Sequence, residues 1–342
     1  MSITWAGSTF HGGRCSRKIP GRPPPRGKLP VPRGGVARAA LQASGTGPAF
    51  PVVTARIAAR HGLLLNATKS PQSFLRSSVM EQIKVVVHGA AGRVGQEVVK
   101  AVCQEPGMRL VGAVDLRVTA EPLSLPDGSG TVPFSTDIDA ILDRCRPDVV
   151  VDFSIARASM PAVRAASRHS VNMVIGTTGF TAADFDEMKQ LAEAGEIGIV
   201  AAPNFALGAV LMMHLAKIAG RFLDHAEIIE LHHDRKLDAP SGTALLTARA
   251  MAEARGKPFL PPAAGEPTPS RGQAVEGISL HSVRLPGLMA HQEVIFGAAG
   301  QTLSIRHDTI NRECYMPGVM LAVRAVVERK GFIYGLDKLL GL

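Results

Sequence analysis

From residue 81 onward, short runs of branched apolar residues alternate with segments whose apolar positions recur every three or four residues. That is the pattern of strand and helix in turn. Residues 83–88 (IKVVVH) predict a strand, and a glycine-rich turn follows at 89–95 (GAAGRVG). A helix then carries Val94, Val98, Ala101 and Val102 on one face, and residues 109–115 predict a returning strand. Together they make a βαβ unit of ordinary size. Further apolar strands are predicted at 147–153, 172–175 and 197–201, with helical segments between. Near-continuous Val/Ile runs separated by helices predict a parallel sheet covered on both faces.

The texture changes near Ala226. Residues 228–232 predict a strand, Ser241 opens a helix, and 277–305 carry alternating strands broken at Pro286-Gly287 and at 297–300. This second region predicts an α+β unit with an antiparallel or mixed sheet. Residues 257–276, rich in Pro, Gly and Ala, suit a mobile surface loop. The chain shows no internal repeat. Its most apolar stretch, 197–213, is interrupted by Pro203-Asn204 and reads as a strand running into a helix, so no membrane span is expected.

Composition changes the picture at one end. The chain has 342 residues and a net charge of +9, which invites a nucleic-acid reading. Residues 1–80 hold nine Arg, three Lys and no Asp or Glu, which leaves 26 basic against 29 acidic residues, a net of −3, for the rest. The basicity thus belongs to the N-terminal segment, and no nucleic-acid partner is expected. An Arg-rich, acid-free segment without periodic hydrophobic runs resembles an organelle transit peptide. Arg14, Arg17 and Lys18 break any compact apolar run of a secretory signal. A disordered basic tail is the alternative, as is initiation at Met80. The expected location is the plastid stroma, with the mitochondrion, or the cytoplasm for a start at Met80, as alternatives. Four cysteines without C-x-x-C spacing indicate neither a zinc ribbon nor a disulfide scaffold.

The glycine turn becomes informative through its surroundings. It follows a strand and opens a helix, and Asp115 stands twenty residues beyond Gly95 at the end of the next strand. Such a loop lets a pyrophosphate approach a helix N-terminus, and the carboxylate can accept hydrogen bonds from ribose hydroxyls. A dinucleotide is therefore expected. Arg117 could offer a cation to a 2′-phosphate, which keeps NADP open beside NAD. Two more strand ends bring polar loops to the same crevice: Gly176-Thr177-Thr178-Gly179-Phe180 and Ala202-Pro203-Asn204-Phe205.

The densest polar cluster runs from Glu230 to Ala244, ELHHDRKLDAPSGTA. Adjacent histidines point apart and lack a third ligand at metal spacing, so His232-His233 predicts no metal site. Ser241-Gly242-Thr243 would present backbone N–H groups at a helix N-terminus, a pocket for a carboxylate. Lys236 supplies a compact cation and a proton, and His232 can serve as an acid or a base. A helix cap with surface His and Lys would account for each residue singly and for the set poorly.

These residues resemble the dihydrodipicolinate reductase (4-hydroxy-tetrahydrodipicolinate reductase) family of the lysine and diaminopimelate pathway. The resemblance rests on E-L-H-H-x-x-K-x-D-A-P-S-G-T-A, the three loops in their order, and Ile305-x-His307 with Arg312 and Gly318. It covers residue 83 to the C-terminus. It implies His232 as acid/base and Lys236 as proton donor, with His233, Ser241, Gly242 and Thr243 at the substrate carboxylates. It implies Gly89, Ala90, Ala91, Gly92, Arg93 and Val94 at the pyrophosphate and Asp115 at the ribose. Gly176, Thr177, Thr178, Ala202, Pro203, Asn204 and Phe205 would flank the nicotinamide. Some members place a basic residue directly after the ribose-binding acid, whereas here Leu116 precedes Arg117, so NADH and NADPH both stay open. The resemblance further implies a Rossmann-like α/β domain over 81–205 completed by helices of 310–342. A substrate-binding and oligomerisation domain over 206–309, a small dicarboxylate substrate and a homotetramer are also implied. The rival readings are a semialdehyde or homoserine dehydrogenase and a dinucleotide sensor without catalysis. The first lacks a nucleophilic cysteine context, and the last should have lost His232 or Lys236.

Overall fold

The computed structural model describes residues 82–118, 121–261 and 268–342. The segment read as a transit peptide lies outside the described residues. The first half alternates β1 (Ile83–His88), α1 (Arg93–Gln104) and β2 (Met108–Val114), then makes a short excursion. That excursion contains a ribbon of β3 (Leu123–Ser124) with β4 (Thr131–Val132), followed by β5 (Phe134–Ser135) and α2 (Ile138–Cys145). Next come β6 (Val149–Asp152), α3 (Ala156–Arg168), β7 (Asn172–Ile175), α4 (Ala182–Ala194) and β8 (Gly198–Ala201). The predicted strands are all present.

The second half opens with α5 (Leu207–Gly220), β9 (His225–His232) and α6 (Gly242–Arg255). Then follow β10 (Gln273–Val275), β11 (Ile278–Arg284), β12 (Ala290–Ala298), β13 (Gln301–Thr309), α7 (Met316–Val327), β14 (Gly331–Tyr334) and α8 (Leu336–Leu340).

Seven strands form one parallel sheet in the order β14-β8-β7-β6-β1-β2-β5. Alternation along β1 sorts its valines between two cores. Val85 and Val87 pack with α1 and α7 through Val98, Val102, Val319 and Val323, while Val86 meets Leu142, Val163 and Met173 on the other face. Burial on both faces is why these strands read as unbroken apolar runs. After β1 the chain moves to β2 on one side and later to β6 on the other, so the strand order reverses between β1 and β6. Ligands of open α/β sheets bind at that point.

The second sheet, β10-β11-β9-β12-β13, is mixed: β9 and β11 run parallel and the other neighbours antiparallel. One face covers a core of Ile228, Val294, Phe296, Met251 and Phe259 against α5 and α6. Reading residues 257–276 as a plain surface loop needs correction. Phe259 is buried in that core, its N–H bonds Glu276 O at 2.8 Å, and β10 extends the sheet. A three-residue edge strand with two exposed positions is too short to leave a period. Among the described residues no helix is long and apolar enough to cross a membrane.

Candidate active site

The glycine loop is shaped by close backbone approach. Gly89 has φ +82°, and a Cβ there would strike the Phe153 carbonyl beyond β6; one on Gly95 would strike the Gly89 carbonyl. No larger residue fits either place. Helix α1 begins with Gly92 at its N-cap, no side chain capping it and no acid in its first turn. Its free N–H groups and positive dipole end face outward, as an anion site requires. Asp115 is almost fully buried and accepts hydrogen bonds from Ala91 N and Arg117 N, both at 2.9 Å. The carboxylate therefore fastens the glycine loop to the end of β2. Arg117 Nε stands 3.7 Å from Asp115 Oδ1 with most of its side chain exposed. Two cavities flank this loop. One of about 350 Å³ is lined by Gly89, Gly92, Asp115, Arg117 and Ser154, and one of about 330 Å³ by Ala90, Ala91, Arg117 and Phe134. Arg93 is exposed and lines neither.

Beneath the loop after β7 lies a buried polar knot that sequence reasoning missed. Asp152, at the end of β6, has no exposed surface. Its Oδ2 accepts from Ser159 Oγ at 2.5 Å and Thr177 Oγ1 at 2.9 Å; its Oδ1 accepts from Ser154 N at 3.2 Å and lies 2.9 Å from His88 Nδ1. Burial alone would raise this carboxyl, but His88 and the Ser154 and Ser159 donors outweigh it and hold it below the usual range. The Thr177 side chain is thus committed to the fold. Thr178 stays exposed, and with Thr177, Ala202 and Pro203 it lines a small cavity of about 120 Å³.

A cavity of about 400 Å³ runs from Val94, Gly176, Pro203, Asn204 and Phe205 to the second sheet. There it meets His232, His233, Lys236, Ser241 and Thr243. The two predicted clusters, roughly separate in sequence, therefore share one chamber. Gly242 is the first residue of α6 and lies outside this lining. Ser241 Oγ caps α6 by accepting from Ala244 N at 3.2 Å, while its own N–H goes to Glu230 Oε1 at 3.1 Å. The anion pocket read for the Ser-Gly-Thr segment therefore narrows to the N–H groups of Gly242 and Thr243. Asn204 Oδ1 accepts from Ala206 N at 2.9 Å, which leaves its amide donors for the cavity.

His232 ends β9, and its Nδ1 lies 2.5 Å from Oε2 of the fully buried Glu230. Burial would raise the Glu230 carboxyl, but hydrogen bonds from His232, Arg284 and Ser282 bring it down to about 2. Lys236 pairs with Asp238 at 2.7 Å. The antiparallel strands add His291, Gln292, His307 and Thr309, and the turn before α7 adds Arg312 and Tyr315. His291 Nδ1 meets Asp308 at 2.7 Å, and burial pushes His307 down, favouring its neutral form. Among the described residues the chamber wall carries two cations and four histidines and no carboxylate.

Two family models match consecutive parts of the chain: that for the N-terminal part of dihydrodipicolinate reductase over residues 83–205, and that for its C-terminal part over 208–340. The chain belongs to the dihydrodipicolinate reductase family. It is an oxidoreductase. A 4-hydroxy-tetrahydrodipicolinate reductase from Dehalococcoides mccartyi is 61% identical over 263 residues, covering 77% of this chain and all of that protein. One from Moorella thermoacetica is 48% identical over 261 residues, 75% of this chain and 98% of its own. Among solved structures, the dipicolinate-bound dihydrodipicolinate reductase of Paenisporosarcina sp. TG-14 is 40% identical with a TM-score of 0.67. That match spans 75% of this chain and 99% of that one. The Mycobacterium smegmatis amine dehydrogenase, at 16% identity, TM-score 0.53 and coverage of 76% and 96%, shares the fold alone. Within this dihydrodipicolinate reductase homologue, the motif reading quoted Glu230 without giving it a role, and it left out Arg284, His291 and Gln292.

Proposed function

We infer that this oxidoreductase reduces 4-hydroxy-tetrahydrodipicolinate to tetrahydrodipicolinate in lysine biosynthesis through diaminopimelate. The observation carrying the reading is the acid-free, cation- and histidine-lined chamber that opens beside the glycine loop. A dicarboxylate is drawn to such a wall, and the loop beside it suits the carrier of the hydride. NADH or NADPH, when bound, supplies that hydride. Gly89 to Val94 with the free N–H groups of α1 hold its pyrophosphate, and Asp115 its ribose. Gly176 to Thr178 and Ala202 to Phe205 flank the ring.

His233 and the N–H groups of Gly242 and Thr243, beside Ser241, bind the substrate carboxylates. Lys236, drawn from Asp238, delivers a proton to the ring nitrogen, and His232 exchanges a proton through Nε2. The 4-hydroxyl leaves as water, and protonating the conjugated C=N system that remains makes its carbon a better hydride acceptor. Both cofactors are used, because Arg117 stands beside Asp115 where a 2′-phosphate would otherwise meet only a carboxylate. Consumption of reduced nicotinamide with substrate generated in situ tests the reaction, and no turnover by folded protein would refute it.

The same reading takes residues 81–205 with 310–342 as the nucleotide domain and 206–309 as the substrate domain, since β14 joins the first sheet. A homotetramer is supported by the exposed apolar side of α5 (Leu211, Leu215, Ile218) continued by Phe222, and sedimentation tests it. The acid-free N-terminal segment supports plastid import. Import of a reporter fused to residues 1–80 tests that assignment.

A further inference from the structure

Register puts four polar side chains on one face of the second sheet. Glu230 and His232 are two apart on β9, and their partners on β11 are Ser282 and Arg284. Side chains two apart on a strand point the same way, and so do those of direct neighbours across a ladder. Arg284 grips Glu230 as a fork, Nη2 to Oε1 at 2.7 Å and Nη1 to Oε2 at 2.9 Å. Its Nη2 also donates to Asp238 O at 2.6 Å, in the loop that carries Lys236. The Glu230 carboxylate therefore ties down three things at once: the imidazole of His232, the guanidinium of Arg284 and, through Ser241 N, the start of α6.

A pair this buried is a poor device for stability alone. Removing two charges from water offsets most of their attraction, and apolar residues of similar volume commonly serve as well. Its place directly behind His232 gives it another use. An ionised Glu230 is acceptor-only, so the His232 proton facing it must sit on Nδ1, and Nε2 is left for the cavity. A lone carboxylate there would favour the imidazolium strongly. Here the carboxylate is shared with a cation that pulls the other way.

We propose that Glu230 and Arg284 are positioning residues of the reduction. The carboxylate fixes the Nδ1–H form of His232, and the guanidinium, by sharing that carboxylate, keeps the imidazole able to release its proton. The proposal rests on the reading of His232 as the acid/base group. Other charged or titratable groups also face this chamber: His233 and Lys236, whose partner Asp238 lies outside the wall, and His307, Arg312 and Tyr315 across it. His291, from β12, is held by Asp308 of β13. All are common to the variants compared, so differences between those variants report on the pair.

The test follows the His232 ring proton by NMR against pH in the intact protein, the signal being identified by its loss in His232→Gln. Glu230→Gln keeps the shape but leaves the Arg284 cation uncompensated, so the titration midpoint falls by about one unit or more. Arg284→Met frees Glu230 for the imidazole, so the midpoint rises by a similar amount. Arg284→Lys keeps the charge, holds the midpoint near wild type and retains more of kcat than Arg284→Met. That variant carries the second arm where Arg284→Met does not fold. In Glu230→Gln, kcat falls about tenfold or more while KM for the substrate changes less than about threefold. Midpoints that move together, or not at all, overturn the proposal. A His232→Gln variant turning over at the wild-type rate overturns instead the reading of the site on which it rests.

Discussion

Thr177 donates its hydroxyl proton to Asp152 Oδ2 at 2.9 Å, so the loop after β7 hangs on a carboxylate with no exposed surface. Asp152 meets donors on both oxygens, and the amide of Asp152→Asn would turn its own donors toward at least one of them. The variant should lose ~2–4 kcal/mol in urea unfolding. At permissive temperature its KM for the dinucleotide should rise while that for the substrate holds. Unchanged stability would mean that the Asp152 knot contributes nothing beyond packing.

In the proposed assignment Lys236 and His232 would act on the substrate and not on the dinucleotide. Lys236→Ala removes both a proton donor and a cation facing a carboxylate, so kcat should fall about 10²–10⁴-fold with a weaker substrate KM. His232→Gln should lower kcat more than it raises KM, and His233→Ala should chiefly raise KM. Fluorescence quenching by NADH should stay near wild type in all three. Loss of quenching in folded variants would move the cluster into the cofactor pocket.

We propose that cofactor choice turns on Arg117. Its Nε lies within 4 Å of Asp115 while its side chain reaches solvent, so Arg117→Ala should weaken NADPH by a few-fold to about tenfold and NADH much less. Paired Michaelis constants for the two dinucleotides decide the matter, and an equal change in both would exclude contact with the phosphate.

Acid should unfold the protein partly through Glu230. Its folded-state carboxyl sits at about 2 against an ordinary value of 4.5, so its contribution is complete above about pH 5 and vanishes as pH falls toward 2. The contribution is on the order of 3 kcal/mol. Urea midpoints of wild type should therefore drop between pH 5 and pH 3, and those of Glu230→Gln should drop less. Parallel pH profiles would count against it.

Much of this molecule was legible beforehand for a physical reason. Strands buried on both faces, such as β6 (VVVD), announce themselves locally, and so does a glycine turn forced by backbone contact. The string around His232 and Lys236 is contiguous because one strand end, loop and helix start carry it. What escaped depends on register between distant segments. Arg284 reaches Glu230 across 54 positions, and His291 enters the chamber, beside the His307 of the motif, only because β12 pairs with β9 and β13 with β12. Strand β14 escaped as well. Four partly exposed residues at a sheet edge leave no period to read.

That last strand has a bearing on biogenesis. Gly331–Tyr334 pair with Ile199 and its neighbours in β8, more than a hundred residues upstream. A nascent chain emerging from the ribosome can assemble the strands from β1 to β8 early, yet their outer edge stays bare until residue 334 is free. Through that interval β8 is an open template for pairing with another chain, a hazard that chaperones exist to shield. A chain ending near residue 325 should therefore aggregate more readily than one that carries β14.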